Sequence, residues 1–204
     1  MRDDPAAPRS LEEIERQCFA RLARGVQDRH SALHVATLVT TRPDGFPAAR
    51  SVVLRAVDSG SRTLRFHTDR RSAKCAELEA DPRVAILFYD PRARLQFRFH
   101  ALAALHRDDE ATRAIWAGIA AGSRRIYLGE APGTPSATPI SGLPAALETR
   151  HPTAEESAPG VSNFATIHAR LLGLDWLHLA AGGHRRARFA WPQDEPPAAT
   201  WLAP

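Results

Sequence analysis

Apolar and polar positions follow two different periods along this chain, and the change of period divides it. Leu11, Ile14, Cys18, Leu22 and Val26 recur at three- to four-residue steps, the stripe of a helix that packs one face on a core. Ser10-Leu-Glu-Glu13 opens that helix as a capping box, in which the Ser10 hydroxyl takes a free backbone amide and Glu13 reaches back. From Leu33 the period becomes two, with β-branched residues concentrated in 34–41. Arg42-Pro-Asp-Gly45 supplies a hairpin turn, with Pro presetting one dihedral and Gly free to take positive φ. Strands are expected over 48–57 and 64–68, followed by a short helix over 73–80 that Ser72 can cap and Asp81-Pro82 ends.

Two further strands are expected over 84–89 and 95–105. The second is the clearest pattern in the chain. Leu95, Phe97, Phe99, Ala101, Ala103 and Leu105 share one parity, while Gln96, Arg98, His100 and His106 share the other, so one face is core and the other polar. Asp108-Asp-Glu110 places acid at a helix N-terminus, and Ile115, Trp116 and Ile119 give that helix its apolar face before Gly122. Residues 130–160 are dense in Pro, Gly, Ser, Thr and Ala and read as a long loop or excursion. Strand pattern resumes over 164–172, 174–179 and 185–191. The fold class predicted is mainly β: one antiparallel barrel domain over 10–204, short helices plugging its rims, behind a disordered lead at 1–9.

Composition narrows the function classes. At 204 residues, with 44% hydrophobic and 25% charged, the chain suits one globular domain. The longest apolar runs, such as 84–89, are far too short to span a bilayer, so no membrane association is expected. Two cysteines, Cys18 and Cys75, make no disulfide framework; both read as inert buried thiols, and a reducing cytoplasm is the simplest home. The net charge of +4 invites a nucleic-acid reading, but its arginines are scattered and form no basic tail, and Lys74 is the one lysine. Nine histidines invite a metal reading, yet His30/His34 and His178/His184 lack supporting Cys or carboxylate spacing, so no metal is expected. Ser141 does not stand in a Gly-x-Ser-x-Gly elbow, which leaves hydrolase chemistry unsupported.

Chemistry concentrates between Arg50 and Gln96. Arg50 and Arg55 bracket one strand, and 66–74 runs from a strand into a helix whose free amides, with Ser72 and Lys74, can converge on a phosphate. Charge-assisted hydrogen bonds contribute about 1.5–3 kcal/mol each, so three approach the scale of micromolar binding. Arginines near strand ends equally serve as solvated or salt-bridged groups. Strict alternation also sends Arg50 and Arg55 to opposite faces, where both cannot grip one phosphate.

The stretches Arg50-Ser-Val-Val-Leu-Arg55, Phe66-His-Thr-Asp69, Ser72-Ala-Lys74, 81–88, Gln96, Arg188-Phe189 and Trp201-Leu-Ala-Pro204 together resemble the pyridoxamine 5'-phosphate oxidase family of FMN-binding split β-barrels. The resemblance implies an FMN-dependent oxidoreductase working by hydride transfer at the flavin, in a homodimer with the flavin at the interface. It implies that Arg50, Lys74 and the Arg71-Ser72 turn hold the FMN phosphate, and that the backbone of Ser51, Val52, Val53 and Leu54 lines the ring edge. It further implies that His67, Thr68 and Gln96 bond ribityl or ring atoms, and that Ser141, His178 and Arg188 complete the pocket. Arg55 lies nearer the ring and, with Arg186, is a candidate for steering an anionic substrate.

Several positions depart from the oxidase pattern. Arg55 stands where those oxidases have Lys, His184-Arg185-Arg186 inverts their Arg-x-His, and His178 aligns with a flavin-packing Trp for which Trp176 can substitute. These departures point away from pyridoxamine 5'-phosphate as the substrate. A flavin store or sensor without turnover fits the same residues, and a basic barrel that binds single-stranded nucleic acid on aromatic platforms is the rival from another class.

Overall fold

The computed structural model describes residues 8 and 10–204. The expected unstructured lead lies outside them, apart from Pro8, which is buried. The helical stripe forms α1 (Leu11–Gln27), with Ser10 Oγ accepting from the Glu13 amide at 3.2 Å and Ile14, Cys18 and Leu22 buried. Where the period changes, eight strands follow: β1 (Val35–Thr41), β2 (Pro47–Asp58), β3 (Thr63–Asp69), β4 (Arg83–Asp90), β5 (Leu95–His106), β6 (Phe164–His178), β7 (Arg185–Ala190) and β8 (Ala198–Leu202). The further helices are α2 (Ala73–Ala80), α3 (Glu110–Ala117), α4 (Ala121–Arg124) and α5 (Ala154–Ser157). Gly45, at φ 84°, closes the β1–β2 hairpin as the turn chemistry requires.

Strand order is β3-β2-β1-β4-β5-β6-β7-β8, and an additional β3–β6 pairing closes the first six strands into an antiparallel barrel. Closure removes the exposed edges of those six, and β7 and β8 continue outward from β6. Leu38, Leu54, Leu64, Phe66, Ile86 and Phe99 fill the interior with no exposed surface. Burial of one such side chain contributes about 1.5–3 kcal/mol. The alternation expected along β5 is present: Leu95, Phe97, Phe99, Ala101 and Ala103 are buried, while Arg98 and His100 are exposed.

One expectation needs correction, and two segments carry structure that the sequence pattern did not show. The strands expected over 164–172 and 174–179 are one strand, because an irregularity opposite His100 and Ala101 leaves Leu172 out of the β5 pairing, and the strand runs on through Gly173. Glycine is required there, since a Cβ would meet the Phe189 carbonyl oxygen at 2.7 Å. The segment over 130–160 is largely irregular but contains a 3₁₀ turn at Ala145–Leu147 and α5, whose Thr153 forms a capping box with Glu156. The C-terminal segment adds β8, which pairs Trp201 with Ala187. No described helix is long and apolar enough to cross a membrane. Cys18 and Cys75 are both free and buried.

Candidate functional site

Two strands and one helix bring the predicted phosphate ligands to one rim of the barrel. Arg50 shares the inward face of β2 with Val52 and Leu54 but lies nearer the strand's start, and Thr68 stands near the end of β3. The chain then turns at Asp69 into α2, which carries Lys74. The Lys74 ammonium donates to Thr68 Oγ1 at 3.1 Å and to Ser72 Oγ at 2.8 Å; both partners are hydroxyls. Burial holds the Lys74 pKa below the ordinary lysine value.

Ser72 occupies the N-cap position of α2, yet its hydroxyl donates to the Asp69 carbonyl at 2.7 Å and makes no cap bond to the helix amides. The first turn of α2 therefore keeps its amides free of a side-chain cap beside a half-buried ammonium, an arrangement suited to an oxyanion.

Arg50 is engaged differently from the expectation. Its Nη2 donates to Glu77 Oε2 at 2.8 Å, and its Nη1 donates to the Thr40 hydroxyl, which itself donates to the same carboxylate oxygen. Glu77 and Thr40 are both buried. Neither stood out in the sequence, although Glu77 lies three residues after Lys74 on a short helix and next to Leu78, a position where a carboxylate is unusual without a partner. Arg71 is folded back on Asp69, with Nη2 to Oδ2 at 2.7 Å, and also donates to the Gly129 carbonyl at 3.0 Å. It thus ties the helix turn to the start of the long excursion.

A second group lies on the outer surface. The β2–β3 register shifts between Leu54 and Ala56, so Arg55 is the extra residue of a bulge, and Val57 then packs against the core. The parity problem between Arg50 and Arg55 has this resolution: Arg50 points into the rim, and Arg55 is exposed outside. Near Arg55, His67 rests edge-on against Phe164 with ring centroids 5.1 Å apart, and its Nε2 is buried without a hydrogen-bond partner. Burial, then the charges of Arg55, Arg65 and His168, pushes the His67 pKa down to about 4, so the ring is neutral at physiological pH. Tyr127 packs on Trp116 and Phe164, and burial pushes its pKa up to about 12.

The remaining candidates are spread. Pairings of Ser51 with Thr37, Thr37 with Leu87 and Tyr89 with Gln96 put Ser51 and Gln96 on the barrel's outer face, and Val53 stands there too, opposite Val35. Arg188 lies opposite Asp175 on that face's extension and is exposed. His178 is buried on the opposite side, opposite Leu95. Trp176 is a fully buried core residue 6.1 Å from the His178 ring. Ser141 is exposed in the excursion and donates to Glu148 Oε1 at 2.6 Å. Arg186 is held by Asp175, with Nη2 to Oδ2 at 2.7 Å and Nε to Oδ1 at 3.0 Å, and Arg98 reaches the same carboxylate at 2.8 Å. Among the described residues, no group of three or more His, Cys, Asp or Glu could hold a metal ion.

The chain forms a closed antiparallel barrel with Lys74, Thr68 and Ser72 gathered at one rim. Known proteins share the architecture. Over 97% of this chain and 100% of the other, it superposes with TM-score 0.76 and 24% identity on a pyridoxamine 5'-phosphate oxidase-related, FMN binding protein from Nostoc punctiforme. It also superposes, with TM-score 0.67 and 16% identity over 99% of this chain and 95% of the other, on PhzG from Burkholderia lata in complex with tetrahydrophenazine-1-carboxylic acid.

In sequence, the chain is 32% identical over 108 residues to the pyridoxine/pyridoxamine 5'-phosphate oxidase of Rubrobacter xylanophilus, covering 53% of this chain and 47% of that protein. It is 44% identical over 62 residues to that of Azorhizobium caulinodans, covering 30% and 28%. These matches span about half the length of the curated relatives or less. The family model for pyridoxamine 5'-phosphate oxidase matches residues 24–148, and the chain belongs to that family.

Proposed function

We propose that the protein is an FMN-dependent oxidoreductase. The observation that carries this reading is the Lys74 ammonium, partnered by Thr68 and Ser72 hydroxyls beside the uncapped first turn of α2. That donor set fits the terminal dianion of FMN, and Arg50 on the same rim adds a second cation. Thr68 and Lys74 hold the phosphate end; Ser51, Val53 and Gln96 lie along the outer face where the ring edge would rest. His67, buried and neutral with an unused ring nitrogen, is available to a polar atom of the ligand. The bound flavin supplies two-electron oxidation and reduction, so the protein's task is to bind, orient and exclude water. Arg55, exposed on its bulge and positively charged, is suited to receive an anionic substrate.

A homodimer follows from the same face. Val35 and Tyr89, each 45% exposed, stand on the outer face opposite Val53 and Gln96, beside the row that runs from Ser51 through Thr37 to Leu87. A second copy covering these apolar positions would enclose the flavin edge and bring in groups such as Arg188. Free buried thiols fit a cytoplasmic location. Pyridoxamine 5'-phosphate itself is not the substrate we favour, because Arg186 is bound to Asp175 and so is not free to grip a phosphate. Anaerobic titration of the FMN-loaded protein with reduced pyridine nucleotides and with B6 vitamers tests the oxidoreductase reading. Bleaching of the flavin by at least one is expected; a pure flavin store would bleach with none of them.

A further inference from the structure

Arg50 is paired with a buried carboxylate, Glu77, and Lys74 stands near both, with Asp69 close by as well. Glu77 Oε2 accepts from Arg50 Nη2 at 2.8 Å and from the Thr40 hydroxyl, while Arg50 Nη1 reaches the Leu38 carbonyl at 3.5 Å. Arg50 and Glu77 both lie close enough to Lys74 to bias its proton, in opposite directions. Glu77 is 6% exposed and Thr40 is 2% exposed, so the carboxylate is largely withdrawn from water. A guanidinium in such surroundings needs an anion, and here the fold itself provides one.

We infer that Glu77 is a stand-in for the cofactor's phosphate: it neutralises the rim cations in the cofactor-free protein and opposes the dianion when the cofactor binds. The inference rests on the flavin reading above. A phosphate that approaches Lys74 and Arg50 also approaches a fixed negative charge, which the chain cannot move away because it sits on the buried face of α2. Glu77 is thus a positioning and affinity-setting residue: it orients Arg50 and sets how strongly the rim prefers a phosphorylated flavin over an unphosphorylated one.

Glu77→Gln separates the two roles. Glutamine keeps the acceptor oxygen and the shape, so Arg50 stays aimed, but the charge is gone. With the full chain freed of cofactor, FMN and riboflavin are titrated separately by flavin fluorescence, and melting is followed with and without each. The variant is expected to bind FMN about tenfold more tightly than the unmodified protein, the scale of one charge removed near a protein surface. Its riboflavin affinity is expected to be unchanged. Without cofactor it should melt several degrees lower, and FMN should restore it.

Unchanged or weaker FMN binding by the variant, with FMN binding intact in the unmodified protein, overturns the inference. So does tightening that extends equally to riboflavin. If the variant folds poorly alone, recovery by FMN or by inorganic phosphate during refolding supports the inference, and recovery by neither overturns it. An unmodified protein that binds FMN no better than riboflavin would instead remove the phosphate reading on which the inference stands.

Discussion

The Lys74 ammonium lies 2.8 Å from the Ser72 hydroxyl, and that hydroxyl is turned away from the helix it begins in order to donate to the Asp69 carbonyl. A serine in the N-cap position that leaves the cap unmade gives up about 1 kcal/mol of helix stabilisation. The free amides and the neighbouring ammonium are what the arrangement gains. Lys74→Ala is therefore expected to reduce FMN retention at least tenfold while leaving unfolding free energy within about 1 kcal/mol, as measured by flavin absorbance after gel filtration and by urea titration. Arg50→Ala should also lose flavin, but it strands the buried Glu77 carboxylate. A stability loss of about 3 kcal/mol should accompany it.

His67 gives a pH dependence of definite sign. Its pKa is lowered from 6.5 to about 4 in the fold, chiefly by burial. The unfolded chain takes up the proton first as pH falls, so folding stability drops between about pH 6.5 and pH 4 and is flat with respect to this group above that window. Melting temperature against pH should show this slope, and His67→Gln should flatten it. An unchanged slope in the variant would assign it to other groups.

Asp175 anchors Arg98 and Arg186 across β5, β6 and β7. Burial alone would raise its pKa, but the hydrogen bonds and charges of Arg186 and Arg98 outweigh burial and hold the carboxyl below the usual range. Asp175→Ala removes the shared partner of two solvent-accessible guanidinium groups and should lower stability by about 1 kcal/mol in urea unfolding. Arg186→Ala should lower stability less than Asp175→Ala, since Arg98 still pairs the carboxylate, and should change FMN affinity less than twofold.

Arg55 is the converse case. Exposed on a bulge and free of a salt bridge among the described residues, it carries little of the fold. Arg55→Ala should leave the melting temperature unchanged within the equivalent of about 0.5 kcal/mol. Its effect should appear in the rate of flavin reduction by an anionic donor, with FMN affinity changed far less.

Much of the fold was legible because it depends on local signals. The parity of β5, the Pro43–Gly45 turn and the residues bounding α2 each act within a few positions, and the elements formed where those signals lie. The join across Gly173 was not legible, because the bulge at Leu172 depends on the register of β5 against β6. The site divides in the same way. Thr68, Ser72 and Lys74 cluster within one strand-to-helix turn, so their convergence could be read from spacing. The pairing of Arg50 with Glu77 spans 27 residues, and that of Arg186 with Asp175 depends on strand register. Both involve arginines whose neighbours only the closed barrel defines.

In the proposed reading, the rim around Lys74 holds the phosphate of a flavin nucleotide. The most direct measurement is equilibrium binding of FMN to the cofactor-free protein, followed by quenching of flavin fluorescence, beside the same titration of Lys74→Ala. One FMN per chain, bound at micromolar affinity or tighter, is expected, with the affinity largely lost in the variant. Flavin fluorescence that stays unquenched in excess protein, or equal binding by both proteins, would contradict it.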